Sequence, residues 1–151
     1  MRTLSIRASM LAVMVIGLLL SGVATGYASH SWGTYHWART ENPFTLRLGN
    51  NMTTFEWTGY LKSAAGDWNS TNGANPLRTV LVAGAGKKRC GAVSGRVEVC
   101  NGTYGQNGWL GLAQIWLSNG HIVQGTTKMN DSYFSQAYYN NANEKLHVVC
   151  Q

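Results

Sequence analysis

The 151-residue sequence predicts an α+β domain, with a mixed, twisted sheet of about five strands and two helices on one side of it. Three observations predict this class. Short apolar runs that alternate with polar residues, or that are rich in β-branched residues, recur along the chain, as is typical of strands. One longer stretch repeats its apolar residues at helical spacing. Neither an internal repeat nor a linker divides these segments, which indicates one domain.

The first 28 residues have the pattern of a secretory signal peptide. A basic start containing Arg2 and Arg7 precedes an apolar run over 10–20, and small residues follow up to Ala28. This order is typical of a signal that is removed after export, and an apolar run of about 11 residues is short for a membrane span. We therefore expect cleavage after Ala28, a secreted chain of residues 29–151, and no membrane attachment after cleavage.

The charge of the expected mature chain argues against nucleic acid as a partner. Residues 29–151 hold ten basic and six acidic side chains, a net charge of +4. A dedicated nucleic-acid binder carries a dense basic stripe, whereas the only basic cluster in this chain is the run over 87–89.

The first predicted elements of the mature chain are a strand and a helix. Residues 44–48 alternate apolar and polar side chains, which indicates a half-buried strand. Thr53 and Glu56 then have capping-box spacing, which predicts the start of a helix. The apolar residues that follow share one helical face: Trp57, Leu61, Ala64, Ala65 and Trp68. A run of turn-forming residues over 69–76 ends this helix.

Four strands and a short helix are predicted after that turn. The strands cover 78–83, 96–100, 110–117 and 121–130, and Asn119-Gly120 between the last two is a strong hairpin signal. The helix covers 142–151.

The terminal helix predicts an incomplete chain. It places Leu146, Val149 and Cys150 on one face. Isolated helices of this length are marginal in water, and no glycine cap follows it. We therefore expect further sequence beyond residue 151.

The three cysteines predict one disulfide and one unpaired thiol. Export to an oxidising compartment favours disulfide formation. Cys90 and Cys100 are close in sequence, and the glycines between them permit a tight return, so this pair is favoured among the three possible pairs. Cys150 is then left over, and we expect its partner in the sequence beyond residue 151.

Three segments in the last third of the chain carry a family resemblance: G-W-L-G-L-A-Q-I-W-L over 108–117, the strand over 122–134, and L-H-V-V-C-Q over 146–151. They resemble the matrixin-like zinc metallopeptidases of the metzincin group, which are secreted. The element order also matches over 43–151. In this family an edge strand and one last strand precede the helix that bears H-E-x-x-H-x-x-G-x-x-H.

The resemblance implies that residues 29–151 are an incomplete catalytic domain, the upper part of a zincin-like fold. The intact protein would hydrolyse peptide bonds with zinc-activated water. Gln151 falls at the position of the first zinc-ligand histidine, and its neutral amide is a poorer zinc ligand than imidazole. The general-base glutamate and the remaining ligands are absent from this chain, so the fragment is expected to be inactive and to bind zinc weakly at most.

The resemblance also implies a substrate-binding strand. In the family the edge strand receives a peptide as an antiparallel strand, and the matching residues are Trp109, Leu110, Gly111, Leu112 and Ala113. An unpaired edge can bind a peptide through main-chain hydrogen bonds, and Gly111 would allow close backbone approach. A peptide or protein substrate is therefore the expected partner.

A second hypothesis is a complete secreted module that binds carbohydrate or cell-wall polymer. Its stacking platforms would be exposed tryptophans, namely Trp32, Trp37, Trp109 and Trp116.

Overall fold

The computed structural model describes residues 33–39, 41–70 and 76–151. The predicted signal peptide over 1–28, the proposed platform residue Trp32 and most of the turn over 69–76 lie outside these residues.

The described residues form a mixed α+β fold, as predicted, with six strands and three helices. The strands are β1 (His36–Trp37), β2 (Phe44–Asn51), β3 (Leu77–Ala83), β4 (Arg96–Gly102), β5 (Gly111–Ser118) and β6 (His121–Asn130). The helices are α1 (Phe55–Asn69), α2 (Asp131–Phe134) and α3 (Ala142–Cys150). The elements that the sequence did not predict are β1 and α2, which are too short to show a periodic pattern.

The sheet is mostly parallel and ends in one antiparallel strand. Its order is β3-β2-β4-β6-β5, and β1 pairs in parallel with the first residues of β6. Strand β5 pairs antiparallel with β6. The predicted hairpin between them is confirmed: Asn119 and Gly120 both have positive φ, 50° and 79°, as a type I′ turn requires. This hairpin places β5 at the end of the sheet.

The core lies between the sheet and helices α1 and α3, which contact each other. Its fully buried residues come from both layers: Trp57, Leu61, Val99, Met129 and Phe134. Even the largest of these side chains has its polar atom satisfied, because the indole nitrogen of Trp57 donates to Oδ1 of Asp131 at 2.9 Å.

Helix α1 begins one residue later than the sequence predicts. The side chain of Thr54, rather than Thr53, accepts a hydrogen bond from the Trp57 amide. The Thr53 hydroxyl is engaged elsewhere, because it accepts a hydrogen bond from Nδ2 of Asn101 at 2.8 Å, and this contact ties the helix start to β4. Glu56 likewise does not close a capping box, since its carboxylate pairs with Lys145.

The buried face of α3 matches the predicted one at Val149 but differs at its other positions. Lys145 is the most buried residue of the helix, only 6% exposed, while Val148 and Val149 pack against the core. A lysine can occupy this position because its amine binds the Glu56 carboxylate at 2.9 Å and lies 5.8 Å from the centre of the Trp57 ring.

The face of β4 that points away from the helices is covered by the loop that follows β3. The predicted disulfide between Cys90 and Cys100 is present, and Cys150 is unpaired. Between this loop and the sheet lies Glu98, which is 1% exposed. Its carboxylate forms an ion pair with Arg96 and accepts from the Ala85 amide at 3.0 Å. The disulfide therefore fixes this loop to β4, above the buried carboxylate of Glu98.

Candidate functional site

A groove of about 670 Å³ lies between β5 and α3. All five residues of the predicted substrate strand line it, from Trp109 to Ala113. The other wall is formed by α3 and the residue after it, with Glu144, His147, Val148 and Gln151. The structure thus brings together the two parts of the site that the resemblance implied separately, the edge strand and Gln151.

Strand β5 lies at an edge of the sheet. Among the described residues its only strand neighbour is β6. Gly111 and Ala113 are exposed along it, so the backbone of the strand is accessible from the groove. At its start, Trp109 packs on Tyr104, with ring centroids 5.2 Å apart. Burial, with a smaller contribution from the Asp131 charge, raises the pKa of Tyr104.

The packing of α3, rather than the approach of a ligand, accounts for the glycine at position 111. A Cβ atom at this position would lie 2.7 Å from Cγ1 of Val148. Real Cβ atoms do not approach other atoms so closely, so the absence of a side chain allows α3 to pack beside β5. The predicted use of Gly111, a close approach of substrate backbone, is therefore not needed to account for the glycine.

The helical wall presents a polar face to the groove. Glu144, His147 and Gln151 are spaced three and four residues apart, which places them on the same side of α3. The amide nitrogen of Gln151 lies 2.9 Å from Nε2 of His147. Since the amide nitrogen can only donate, this imidazole nitrogen accepts and carries a lone pair.

These residues do not by themselves make a zinc site. Within the described residues no group of three or more His, Cys, Asp or Glu side chains could hold a metal ion. Structural zinc requires four protein ligands and catalytic zinc three. The α3 wall offers the Glu144 carboxylate, one imidazole that is already bound to the Gln151 amide, and one neutral amide oxygen, so at most two side chains of the types that commonly bind zinc. No catalytic step can be assigned to this donor set.

A second, smaller cleft of about 200 Å³ lies behind α3, over the apolar face of β2 and β3. Leu46, Leu48 and Leu77 are among the residues that line it, together with Cys150 and Gln151. The indole nitrogen of Trp68 donates to the Cys150 carbonyl at 3.1 Å, which fixes the end of α3 against α1. The unpaired thiol therefore borders an apolar cleft.

The described tryptophans of the carbohydrate hypothesis lie in different surroundings. Trp37 stacks on Phe44, with ring centroids 6.2 Å apart, in a shallow depression of about 450 Å³. Trp109 lines the β5–α3 groove, and Trp116 is 39% exposed on β5. In the part of the chain that the structure describes, no ring contact joins two of these three, so they do not form one continuous platform.

Comparison with known proteins gives no identity to this site. No protein-family model matches the sequence, and no curated protein or solved structure matches it significantly. None of the helices in the described residues is both long and apolar enough to cross a membrane.

Sequence reasoning missed two kinds of residue at the site. Glu144 and His147 line the groove, and their spacing to Gln151 could have indicated a shared helical face. The anchor Lys145 carried no such signal, because its partner Glu56 is 89 residues away in sequence.

Proposed function

We propose that the β5–α3 groove binds a peptide in extended conformation, as a strand added to β5, and that the chain is the N-terminal part of the catalytic domain of a secreted zinc metallopeptidase. One observation carries the proposal: a single groove contains the whole predicted substrate strand and also Gln151.

The sheet topology supports peptide addition. An extended chain laid beside β5 would continue the sheet through main-chain hydrogen bonds, whose strength does not depend on sequence. Side chains of such a peptide would alternate in direction, so every second one would enter the groove beside Val148 and Met129. A preference for apolar residues at alternate peptide positions follows.

The order of elements supports the metallopeptidase assignment. An antiparallel edge strand, one last parallel strand and, after the short helix α2, helix α3 follow in this order along the chain. The metzincin family that the sequence resembles has an edge strand, a last strand and the zinc-binding helix in the same order. Helix α3 then directs residue 151 into the same groove as the edge strand. In an intact family member, zinc bound beyond this point would polarise the peptide carbonyl and activate water. The residues of this chain would hold and orient the peptide.

Peptide binding can be tested on this chain without any catalytic activity. The probe is a blocked hexapeptide with alternating Val and Thr, added to the ¹⁵N-labelled full chain. We expect chemical-shift changes in 109–113 and in α3. The same hexapeptide with every amide N-methylated is the matched control, because it retains the side chains but loses every backbone N–H donor, whichever edge of the peptide faces β5. It is expected to bind at least about tenfold more weakly, the equivalent of about 1.4 kcal/mol.

A variant pair locates the binding. Ala113→Asp places a charge in the groove and is expected to abolish the shifts, whereas Ser118→Asp, at the far end of the same strand, is expected to leave them unchanged. Equal binding of the methylated and unmethylated peptides would exclude strand addition.

The metallopeptidase assignment has its own decisive observation. The coding sequence after codon 151 must continue as E-x-x-H-x-x-G-x-x-H. A continuation without this motif in any frame would disprove the assignment while leaving peptide binding to be judged by the titration. In that case the depression beside Trp37 and Phe44, with Tyr35 at its edge, would favour the alternative of a module that binds carbohydrate or cell-wall polymer.

A further inference from the structure

We propose a second, separate site: His36 and His121 together bind a divalent transition-metal ion of the class that prefers imidazole, namely Cu²⁺, Ni²⁺ or Zn²⁺. The site goes beyond the proposed function, since neither histidine lines the β5–α3 groove.

The strand register brings the two imidazoles together. His36 of β1 lies directly opposite His121 of β6 in the parallel pair, and neighbouring residues in such a pair point to the same face. Their ring centroids are 4.7 Å apart, at an interplanar angle of 87°. Two imidazoles bound to one ion through nitrogens about 2.0–2.1 Å from it have ring centroids about 5 Å apart. The observed separation is therefore already close to that of a bound pair.

The hydrogen bonding of His36 prepares it as a ligand. Its Nδ1 lies 2.8 Å from the carbonyl oxygen of Thr34. A carbonyl can only accept, so Nδ1 carries a proton, and in the neutral imidazole the lone pair is then on Nε2. A histidine that binds a metal through one nitrogen commonly donates its other N–H to a carbonyl in this way, which fixes both the tautomer and the ring orientation.

His121 supplies a polar atom that lacks a partner. Its Nδ1 is buried and makes no hydrogen bond to any described residue. A buried nitrogen without a partner is destabilising, and a metal ion bound at this nitrogen would offset that cost. His121 directly follows the Asn119-Gly120 turn, which fixes its backbone.

The donor set selects the class of ion. Imidazole nitrogen suits copper, nickel and zinc, whereas magnesium and calcium prefer oxygen. Two histidines leave the other coordination positions to water, so the site would bind more weakly than a four-ligand structural zinc site. Copper(II) is expected to bind most tightly, in keeping with the general order of affinities.

A bound ion would fasten β1 to the sheet. Strand β1 consists of only two residues, so its pairing with β6 provides few hydrogen bonds. Coordination of one ion by both strands would stabilise this attachment, and the stabilisation would grow with the logarithm of the ion concentration once that concentration exceeds Kd.

The test is calorimetric titration of CuCl₂ into the full chain without an affinity tag. All proteins in the test carry Cys150→Ser, His30→Ala and His147→Ala, which remove the unpaired thiol and the other two imidazoles. We expect one ion per chain, and binding should weaken as the pH falls because both imidazoles must be neutral. His36→Gln and His121→Gln should each weaken binding at least about tenfold, the scale on which even outer partners of a metal ligand act.

Electron paramagnetic resonance of the copper complex gives a second readout. Two imidazole nitrogens are expected in the spectrum of the parent, and one after either substitution. His36 is exposed, so its variant should fold, and circular dichroism checks this. Equal affinity of the parent and the His36→Gln, His121→Gln double variant would overturn the proposal, as would a parent spectrum with fewer than two imidazoles.

Discussion

Gly111 is the residue that sets the separation of the two walls of the groove. Its position on β5 was predictable from sequence, and so was the need for a residue without a side chain there. The reason for it was not, because the close contact with Val148 depends on how α3 returns to the sheet. Residue-level chemistry that depends on sequence neighbours, such as the Cys90–Cys100 disulfide, was predictable. Contacts between distant segments, such as Glu56 with Lys145, were not.

Gly111→Ala is expected to destabilise the protein by about 1–3 kcal/mol, the usual cost of forcing extra volume into a packed contact. The new Cβ would lie 2.7 Å from Val148, so either β5 or α3 must shift. Urea unfolding measures the change. Adding Val148→Ala should recover part of the loss, giving a clear interaction term in a double-mutant cycle.

Gly59→Ala is the matched control for that substitution. Gly59 lies on the exposed side of α1, and a Cβ there meets nothing within 4 Å. Alanine in a helix interior is favoured over glycine by about 0.5–1 kcal/mol, so this variant should be slightly stabilised. If Gly111→Ala behaved like Gly59→Ala, the close packing of α3 on β5 would be contradicted.

At the scale of elements, α3 depends on α1 for its position. The helix has nine residues, too few to be stable alone in water. Its tie to α1 consists of the Lys145–Glu56 pair and the hydrogen bond from Trp68 to the Cys150 carbonyl. The sequence predicted both helices from apolar periodicity. It misplaced the start of α1 because Thr53 and Thr54 are both plausible caps and only the contact with Asn101 decides between them.

The Glu56–Lys145 pair predicts an acid-sensitive contribution to stability. The hydrogen bond from Lys145 lowers the pKa of Glu56 below its ordinary value of 4.5. Because the folded-state pKa is the lower one, the stabilisation is present above pH 4.5 and is lost as the pH falls through the folded-state pKa. The Glu56 side chain is 55% exposed, so solvent screens the pair and its contribution should not exceed about 1 kcal/mol.

Glu56→Gln should therefore lower the free energy of unfolding at pH 7 and have almost no effect at pH 3. Urea unfolding at the two pH values measures this. Glu41→Gln, at an exposed carboxylate, is the control and should change stability little at either pH. A Glu56→Gln effect as large at pH 3 as at pH 7 would show that the side chain acts through packing rather than charge.

At the scale of the whole molecule, the two faces of the sheet are covered by different parts of the chain. One face carries the core, α1 and α3, while the other is covered by the disulfide-linked loop above Glu98. The sequence predicted the strands and their order along the chain, because alternation is a local signal. It did not predict the order within the sheet, since parallel neighbours such as β2 and β4 are paired by crossovers that local patterns do not encode.

The groove was implied only by the family resemblance. Nothing local in Trp109-Leu110-Gly111 shows that a helix near residue 147 packs beside it. Two contacts place the helix beside this strand. The Asn119-Gly120 hairpin makes β5 an edge strand, and the Glu56–Lys145 contact holds α3 against α1.

Removing the disulfide tests whether the two faces are independent. The Cys90–Cys100 bridge closes a short loop, 10 residues apart in sequence, and should contribute about 2–3 kcal/mol by restricting the unfolded chain. Cys90→Ser with Cys100→Ser, in a Cys150→Ser background that prevents exchange, should lower the urea midpoint accordingly. Peptide affinity at the β5–α3 groove should stay within about twofold, because neither cysteine is among the residues that line the groove. A large loss of peptide binding in a variant that is still folded would show instead that the covered face controls the groove.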